Sequence, residues 1–270
     1  GAIFRIIMAR TIQQLFDLKG QTALVTGGSR GLGLQMAHAL GEAGAKIIVS
    51  SRKAEDLMQA VAELKAAGIE ADWIAADCGK EADIRALASE CIKRMGHIDI
   101  LVNNAGAAWG APAEDHPVEA WDKVMNLNIR GYFILSQHVA KLSMIPRKSG
   151  RIINIASIAG LNGNPKGMQT IAYNTSKGAV VNFTRTLGAE WGVHNITVSG
   201  ICPGFFPSRM TMGTLKALGE DKLIGGTPLQ RLGDDEDLKG ITLLFASAAG
   251  KHITGQWMAV DGGVSVVTGG

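Results

Sequence analysis

The sequence predicts a doubly wound α/β fold: a single domain built on a seven-stranded parallel sheet with helices on both faces. Three observations carry this. Short apolar runs alternate with amphipathic stretches along most of the chain, as repeated strand–helix units on a parallel sheet do. The runs are apolar at successive positions rather than at every second one, as in strands buried on both faces. A glycine cluster follows the first run and opens the first helix, between Thr26 and Gly33.

The elements follow in order. Residues 22–26 (TALVT) form the first strand. Leu32, Met36, Leu40 and Ala43 then recur at helical spacing, and Gly44 closes that helix. Residues 46–50 are the second strand, and 54–67 a helix ended by Gly68. Residues 71–76 are the third strand, 81–95 a helix ended by Gly96, and 98–103 the fourth strand. The second half repeats the unit: helix 120–142, strand 150–155, helix 175–191, strand 195–201, helix 236–246 and strand 256–260. Residues 205–232, rich in Met, Gly, Thr and Pro, interrupt the alternation and read as a mobile lid. The domain is expected to span 18–263, after an extension over 1–17 and before a tail over 264–270 that reaches a neighbouring subunit or frays. Met8 reads as a natural start, and residues 1–7 as left over from expression.

Composition excludes several classes. The chain has 270 residues, 46% of them apolar, enough for one large core. The net charge is +3, with Lys and Arg spread along the chain, which is no nucleic-acid footprint. Cys78, Cys91 and Cys202 form no CxxC pair and no zinc spacing, so free thiols in a reducing cytoplasm are expected. The six histidines form no HxxxH or HExxH group, and no catalytic metal is expected. The apolar stretch 2–8 is short and broken by Arg5, and no run reaches 18 apolar residues. A soluble, cytoplasmic protein without membrane contact is expected.

The turn Gly27-Gly28-Ser29-Arg30-Gly31-Leu32-Gly33 carries the first chemistry. Its glycines permit positive φ and close backbone approach. The helix beyond offers unpaired N–H groups and a positive dipole end to a pyrophosphate. The spacing is Gly-x-x-x-Gly-x-Gly rather than Gly-x-Gly-x-x-Gly. An ordinary tight strand–helix turn has similar composition, but the second strand–helix unit favours dinucleotide binding. NAD enzymes usually place an acid at the end of the second strand. Here Ser50-Ser51-Arg52-Lys53 offers none. Arg52 with Arg30 suits a 2′-phosphate, because Arg binds phosphate as a planar fork. NADP(H) is therefore preferred, with NAD(H) tolerated.

Thr26–Gly33, Asn103-Asn104-Ala105-Gly106, Asn128, Ser157, Tyr173-x-x-x-Lys177 and Pro203-Gly204, in that order, resemble the motifs of the short-chain dehydrogenase/reductase family. The resemblance covers about residues 18–263 and implies a Rossmann-type fold and a ketone–alcohol oxidoreductase. It implies cofactor contacts from Gly27, Ser29, Arg30, Gly31, Leu32, Gly33, Ser51, Arg52, Asp77, Cys78, Asn104, Ala105, Gly106, Tyr173, Lys177, Pro203 and Gly204. Asp77 is the expected adenine contact. Asn128, Ser157, Tyr173 and Lys177 are the expected catalytic set. Asn126 rivals Asn128, which is preferred because Phe133 follows at the family spacing. The family commonly forms tetramers through its two long helices and last strand, so a homotetramer, or a homodimer, is expected.

The chemistry agrees with these roles. A ketone reduced by hydride needs a proton, and a tyrosine with an ordinary pKa of about 10 can supply it if a neighbouring ammonium lowers that value. Tyr173 and Lys177, four apart on a helix, share a face. Ser157 would donate to the substrate oxygen, and Asn128 with a water would link Lys177 to solvent. Ser157 and Tyr173 are 16 positions apart, about three more than is usual for the family. The extra length falls in 160–170, a loop that borders the substrate in relatives.

Trp109, Leu161, Met168, Ile171, Phe205, Phe206, Met210 and Met212 are candidate substrate-lining residues, with Trp109, Met168, Phe205, Phe206 and Met210 foremost. They suggest an apolar or amphipathic carbonyl. Lys166 and Arg209 are the candidate anion contacts. Local stretches are similar to those of 3-oxoacyl reductases, and the general pattern to gluconate 5-dehydrogenases, so a β-ketoacyl chain and a sugar acid both remain open. A methyltransferase would leave Tyr173, Lys177 and Arg52 unexplained. A dinucleotide-sensing regulator would be expected to lack Tyr173 or Ser157. An enoyl reductase would space its Tyr and Lys more widely.

Overall fold

The computed structural model describes residues 8–208 and 212–268. Seven strands form one parallel sheet: β1 (Thr22–Thr26), β2 (Lys46–Ser51), β3 (Ala71–Ala75), β4 (Ile100–Asn103), β5 (Gly150–Ile155), β6 (Ile196–Pro203) and β7 (Trp257–Val260). Their order across the sheet is β3-β2-β1-β4-β5-β6-β7. The chain therefore winds outward in one direction from β1, then returns and winds in the other from β4. In open α/β sheets the crevice at such a switch point receives ligands.

Alternate residues of each strand face opposite sides. Ala23 and Val25 of β1 pack into one core layer with Met36, Leu40, Leu57, Leu64 and Phe245. That layer is covered by α2 (Gly31–Glu42), α3 (Ala54–Ala66) and α11 (Lys239–Ala246). Leu24 faces the other layer, with Ile84, Leu87, Leu135 and Leu187. Its helices are α4 (Glu81–Met95), the composite rod below and α8 (Ile171–Trp191). Acids in the first turn and bases in the last oppose the dipoles of α3 and α4.

The structure departs from the sequence expectations at several ends. The helix expected over 120–142 is a longer rod: α5 (Val118–Met125), α6 (Gly131–Val139) and α7 (Ile145–Arg147) joined by π turns at Asn126–Arg130 and Ala140–Met144. α8 starts four residues earlier than expected, at Ile171. α11 starts at Lys239 rather than 236, because Asp237 accepts from Asp234 N at 2.8 Å and holds the preceding residues in a turn. A short unanticipated helix, α1 (Ile12–Phe16), is closed by a capping box between Thr11 and Gln14. The expected lid is partly helical, with α9 (Met212–Leu218) and α10 (Glu220–Gly225). Among the described residues, no helix is long and apolar enough to cross a membrane, and no cluster of His, Cys, Asp and Glu suits a metal ion.

Candidate active site

A cleft of about 820 Å³ opens at the switch point, within the usual range for small-molecule sites. The glycine turn, the ends of β2 to β6 and the start of the 205–232 segment wall it.

The glycine turn is shaped by backbone constraints. Gly27 and Gly31 have φ of +59° and +55°. A Cβ on Gly33 would lie 2.0 Å from Gly27 O, so only glycine lets α2 approach β1 this closely. Thr26 Oγ1 accepts from Asn104 N at 2.9 Å and Ala105 N at 3.1 Å, and Asn104 Nδ2 donates to Gly27 O at 3.1 Å. These bonds lock the turn to the loop after β4. Arg30 occupies the N-cap of α2 without a side-chain cap bond, so the helix N-terminus keeps unpaired N–H groups.

Beside this turn, Ser51 Oγ is buried and has no hydrogen-bond partner. Ser51 lines the cleft with the exposed Arg30 and Arg52. An orphaned hydroxyl, two guanidiniums and an uncapped helix N-terminus fit an elongated ligand carrying several phosphates. Asp77 accepts from Gly79 N at 2.8 Å, shaping the far end of the cleft. Burial, with Asp77 and Asp83 beside it, pushes the Cys78 thiol up to about 12. It is therefore a neutral wall and not a nucleophile.

The opposite wall carries Ser157, Tyr173 and Lys177. Ser157 follows β5 and caps a 3₁₀ turn, its Oγ accepting from Ala159 N at 3.0 Å. Its proton remains available to donate. Tyr173 and Lys177 lie in the first two turns of α8. Lys177 is 4% exposed and donates to Ile155 O at 2.9 Å, with Nζ 5.7 Å from the Tyr173 ring centre. Burial lowers its pKa to about 8. For Tyr173 the structure reverses the expected sign. Burial raises the phenol and the Ser157 hydroxyl pulls it back in part. The ammonium is directed at Ile155 O rather than at the phenol oxygen.

Asn128 sits in the π turn, fully buried. Its amide accepts from Ala107 N at 2.8 Å and donates to Ala107 O at 2.8 Å and Ser176 Oγ at 3.0 Å. It fastens the loop after β4 to α8 and does not line the cleft. π turns recur at functional sites because they re-aim side chains within a helix.

Of the expected cofactor contacts, Gly27, Ser29, Arg30, Gly31, Leu32, Ser51, Arg52, Asp77, Cys78, Asn104, Ala105, Gly106, Tyr173, Lys177, Pro203 and Gly204 line this one cleft. Gly33 does not, being packed beneath the turn. Of the foremost substrate candidates among the described residues, Phe206 alone lines it. Trp109 is 48% exposed, next to a segment pinned by the bridge between Ala111 and Thr170. Met168 belongs to a loop folded on itself. There Asn164 donates to Thr170 Oγ1 at 2.9 Å, Thr170 to Asn174 Oδ1 at 2.8 Å and Asn174 to Asn164 Oδ1 at 2.8 Å. Phe205 lines a second cavity of about 480 Å³ with Leu229 and Val260. Met210 and Arg209 lie outside the described residues. The cleft also takes in Lys80, Lys123, Asn126 and Leu127, none of which the sequence reading assigned to the cofactor. Lys123, Asn126 and Leu127 share one helix face at i, i+3 and i+4, the signal that was available for these three.

The fold and the site define an α/β oxidoreductase. The short chain dehydrogenase family model matches residues 21–218, and the chain belongs to that family. It is 39% identical to a 3-oxoacyl-(acyl-carrier-protein) reductase of rhamnolipid biosynthesis from Pseudomonas aeruginosa, over 92% of this chain and 97% of the relative. It is 37% identical to a gluconate 5-dehydrogenase from Gluconobacter oxydans, over 93% and 97% of the two chains. Among solved structures, a gluconate 5-dehydrogenase from Burkholderia cenocepacia in complex with NADP and tartrate superposes with a TM-score of 0.90. The identity there is 35%, over 96% of this chain and 100% of that one.

Proposed function

We propose that the chain is an NADPH-preferring oxidoreductase interconverting a ketone and a secondary alcohol. The observation that carries this is the convergence of Ser157, Tyr173 and Lys177 on one wall of a cleft whose other wall is the glycine turn. When bound, the nicotinamide supplies the hydride that goes to the carbonyl carbon. Ser157 donates to the carbonyl oxygen, whose negative charge grows in the transition state. Tyr173 delivers the proton to that oxygen. Its phenol, raised by burial, is protonated at neutral pH, as an acid for reduction must be. Lys177 holds a positive charge beside the ring, and its approach to the phenol oxygen would favour the phenolate left behind. Asn128 keeps the loop after β4 in register with α8.

Arg30 and Arg52, with the unpartnered Ser51 hydroxyl, support the 2′-phosphate reading. The substrate end is walled by Pro203, Gly204, Phe206 and Pro207, which supports a 3-oxoacyl or other apolar ketone. A sugar-acid dehydrogenase is the second reading, favoured by the gluconate dehydrogenase relatives. Phe133 and Leu142 on the rod and Met258 on β7 are about half exposed, which supports a homotetramer, or a homodimer, through those elements. The free Cys78, Cys91 and Cys202 suit a reducing cytoplasm.

The test is oxidation of NADPH and of NADH over a β-ketoacyl thioester, 5-ketogluconate, a cyclic ketone and an aromatic ketone. Faster turnover of an apolar member with NADPH is the expected result. Turnover of 5-ketogluconate alone would move the substrate to the second reading. Tight cofactor binding with no turnover of any member would overturn the enzyme reading.

A further inference from the structure

We propose that Tyr132 is a positioning residue for Lys177: its ring holds the ammonium beside Tyr173, and its hydroxyl shares the carbonyl that the ammonium uses, so that the two parts together set the pH at which that charge is lost. The consequence for turnover rests on the function proposed above; the geometry does not.

Tyr132 lies on α6, just past the π turn that presents Asn128, and is 2% exposed. Its hydroxyl donates to Ile155 O at 3.0 Å. Lys177 Nζ donates to the same oxygen at 2.9 Å. Two donors from different helices thus meet on the last carbonyl of β5, two residues before Ser157. Lys177 Nζ also lies 5.5 Å from the Tyr132 ring centre and 5.7 Å from that of Tyr173. The ammonium is held between two aromatic rings, within the range where a cation is attracted to the ring quadrupole.

The groups facing Lys177 are few. Tyr173 comes from its own helix, Tyr132 from α6, and Cys202 from β6. Burial pushes the Cys202 thiol up to about 11, so it is neutral near pH 8; Asp261, beyond β7, acts on Cys202. Among the described residues, no carboxylate acts on the lysine. The charged form therefore depends on Ile155 O and the two rings, against a burial that favours the neutral amine.

The two parts of Tyr132 act with opposite signs. The ring stabilises the ammonium. The hydroxyl places its positive end on the oxygen that the ammonium also uses. Tyr132→Leu removes the ring, so Lys177 should lose its proton about half to one and a half pH units lower. Tyr132→Phe keeps the ring and frees a lone pair of Ile155 O. Lys177 should then titrate unchanged or a few tenths of a unit higher. Loosened packing alone would not separate Phe from Leu in this direction.

The experiment is an NMR titration of the lysine Cε and Nζ signals in the labelled, cofactor-free protein from pH 6 to 10. Lys177 is assigned by its loss in Lys177→Met, and thermal melts confirm that each variant folds. Tyr132→Met replaces Leu if the latter fails to fold. A downward shift with Leu or Met, and none with Phe, supports the proposal. A downward shift with Phe, or no shift with either ringless variant, overturns it. The pH profile of alcohol oxidation should move with the titration. If the titration moves as expected while the wild type turns over no carbonyl, the function proposal fails and the positioning role stands.

Discussion

Reversing the charge at Arg52 is the most direct probe of cofactor choice. Arg52 and Arg30 are exposed and line the cleft where the orphaned Ser51 hydroxyl sits. A charge-assisted bond to a phosphate contributes about 1.5–3 kcal/mol. Exposure and salt screening reduce this to about 1–2 kcal/mol here. Arg52→Asp removes that attraction and adds repulsion of about 1 kcal/mol between a carboxylate and the phosphate. The sum, about 2–3 kcal/mol, is roughly a 30- to 150-fold fall in the ratio of kcat/KM for NADPH over NADH. Arg52→Gln should give only the first part, roughly five- to thirtyfold. Initial rates with both cofactors, at low and high salt, measure the ratio, and the wild-type preference should shrink as salt rises. A ratio within threefold of wild type in Arg52→Asp would refute the phosphate role.

Three further outcomes are expected. Tyr173→Phe should lower turnover by about a thousandfold, within the range for a lost proton donor, while calorimetry finds NADPH affinity within roughly threefold of wild type; retention of most of the rate would remove Tyr173 from the mechanism. Gly33→Ala puts a Cβ 2.0 Å from Gly27 O and 2.6 Å from Asn104 Nδ2. It should weaken NADPH binding at least about tenfold and cost more stability than Gly31→Ala, where φ is +55° but the space is open; equal melts and affinities would mean the turn yields easily. Asp237 takes a two-pronged bond from Arg231 at 2.6 and 2.8 Å, which lowers its carboxyl from 3.8 to about 2. A depressed carboxyl adds stability that is full above the unfolded value and lost as pH falls through the folded one. Both partners are largely solvated, so the contribution is small, and about half of it should be gone by pH 3. Asp237→Asn should therefore lower Tm more at pH 7 than at pH 3, and an equal loss at both would assign the effect to something other than ionisation.

Much of the fold was legible because its determinants are local. The strand runs 22–26 and 150–155 and the helix 81–95 match the structure at both ends. In each, burial pattern and end residues agree within a few positions of sequence. The π turn at Asn126–Arg130 has no such local cause. It follows from Asn128 reaching across to Ala107 and Ser176, contacts 21 and 48 residues away. The early start of α8 is similar. Asn174 is held by Asn164 and Thr170 from the preceding loop, and apolar periodicity is blind to such a ring of side-chain bonds. The placement of the substrate candidates follows the same rule. Trp109, Met168 and Phe205 are apolar and near the site in sequence, but loop packing and a second cavity decide where each lies.

The reversed sign at Tyr173 shows how far a spacing argument reaches. Tyr-x-x-x-Lys puts two side chains on one helix face, and the structure keeps them together. It does not say where the ammonium points. That is decided by Ile155 O at the end of β5, together with Tyr132 from a helix that the sequence does not bring near. With the lysine so directed, burial outweighs the Ser157 hydrogen bond and raises the phenol. A lowered phenol would need the ammonium to approach its oxygen, or a positive charge to arrive from elsewhere in the cleft. The pH dependence of Tyr173 is therefore a property of the assembled wall, and the i, i+4 pair is only its local part.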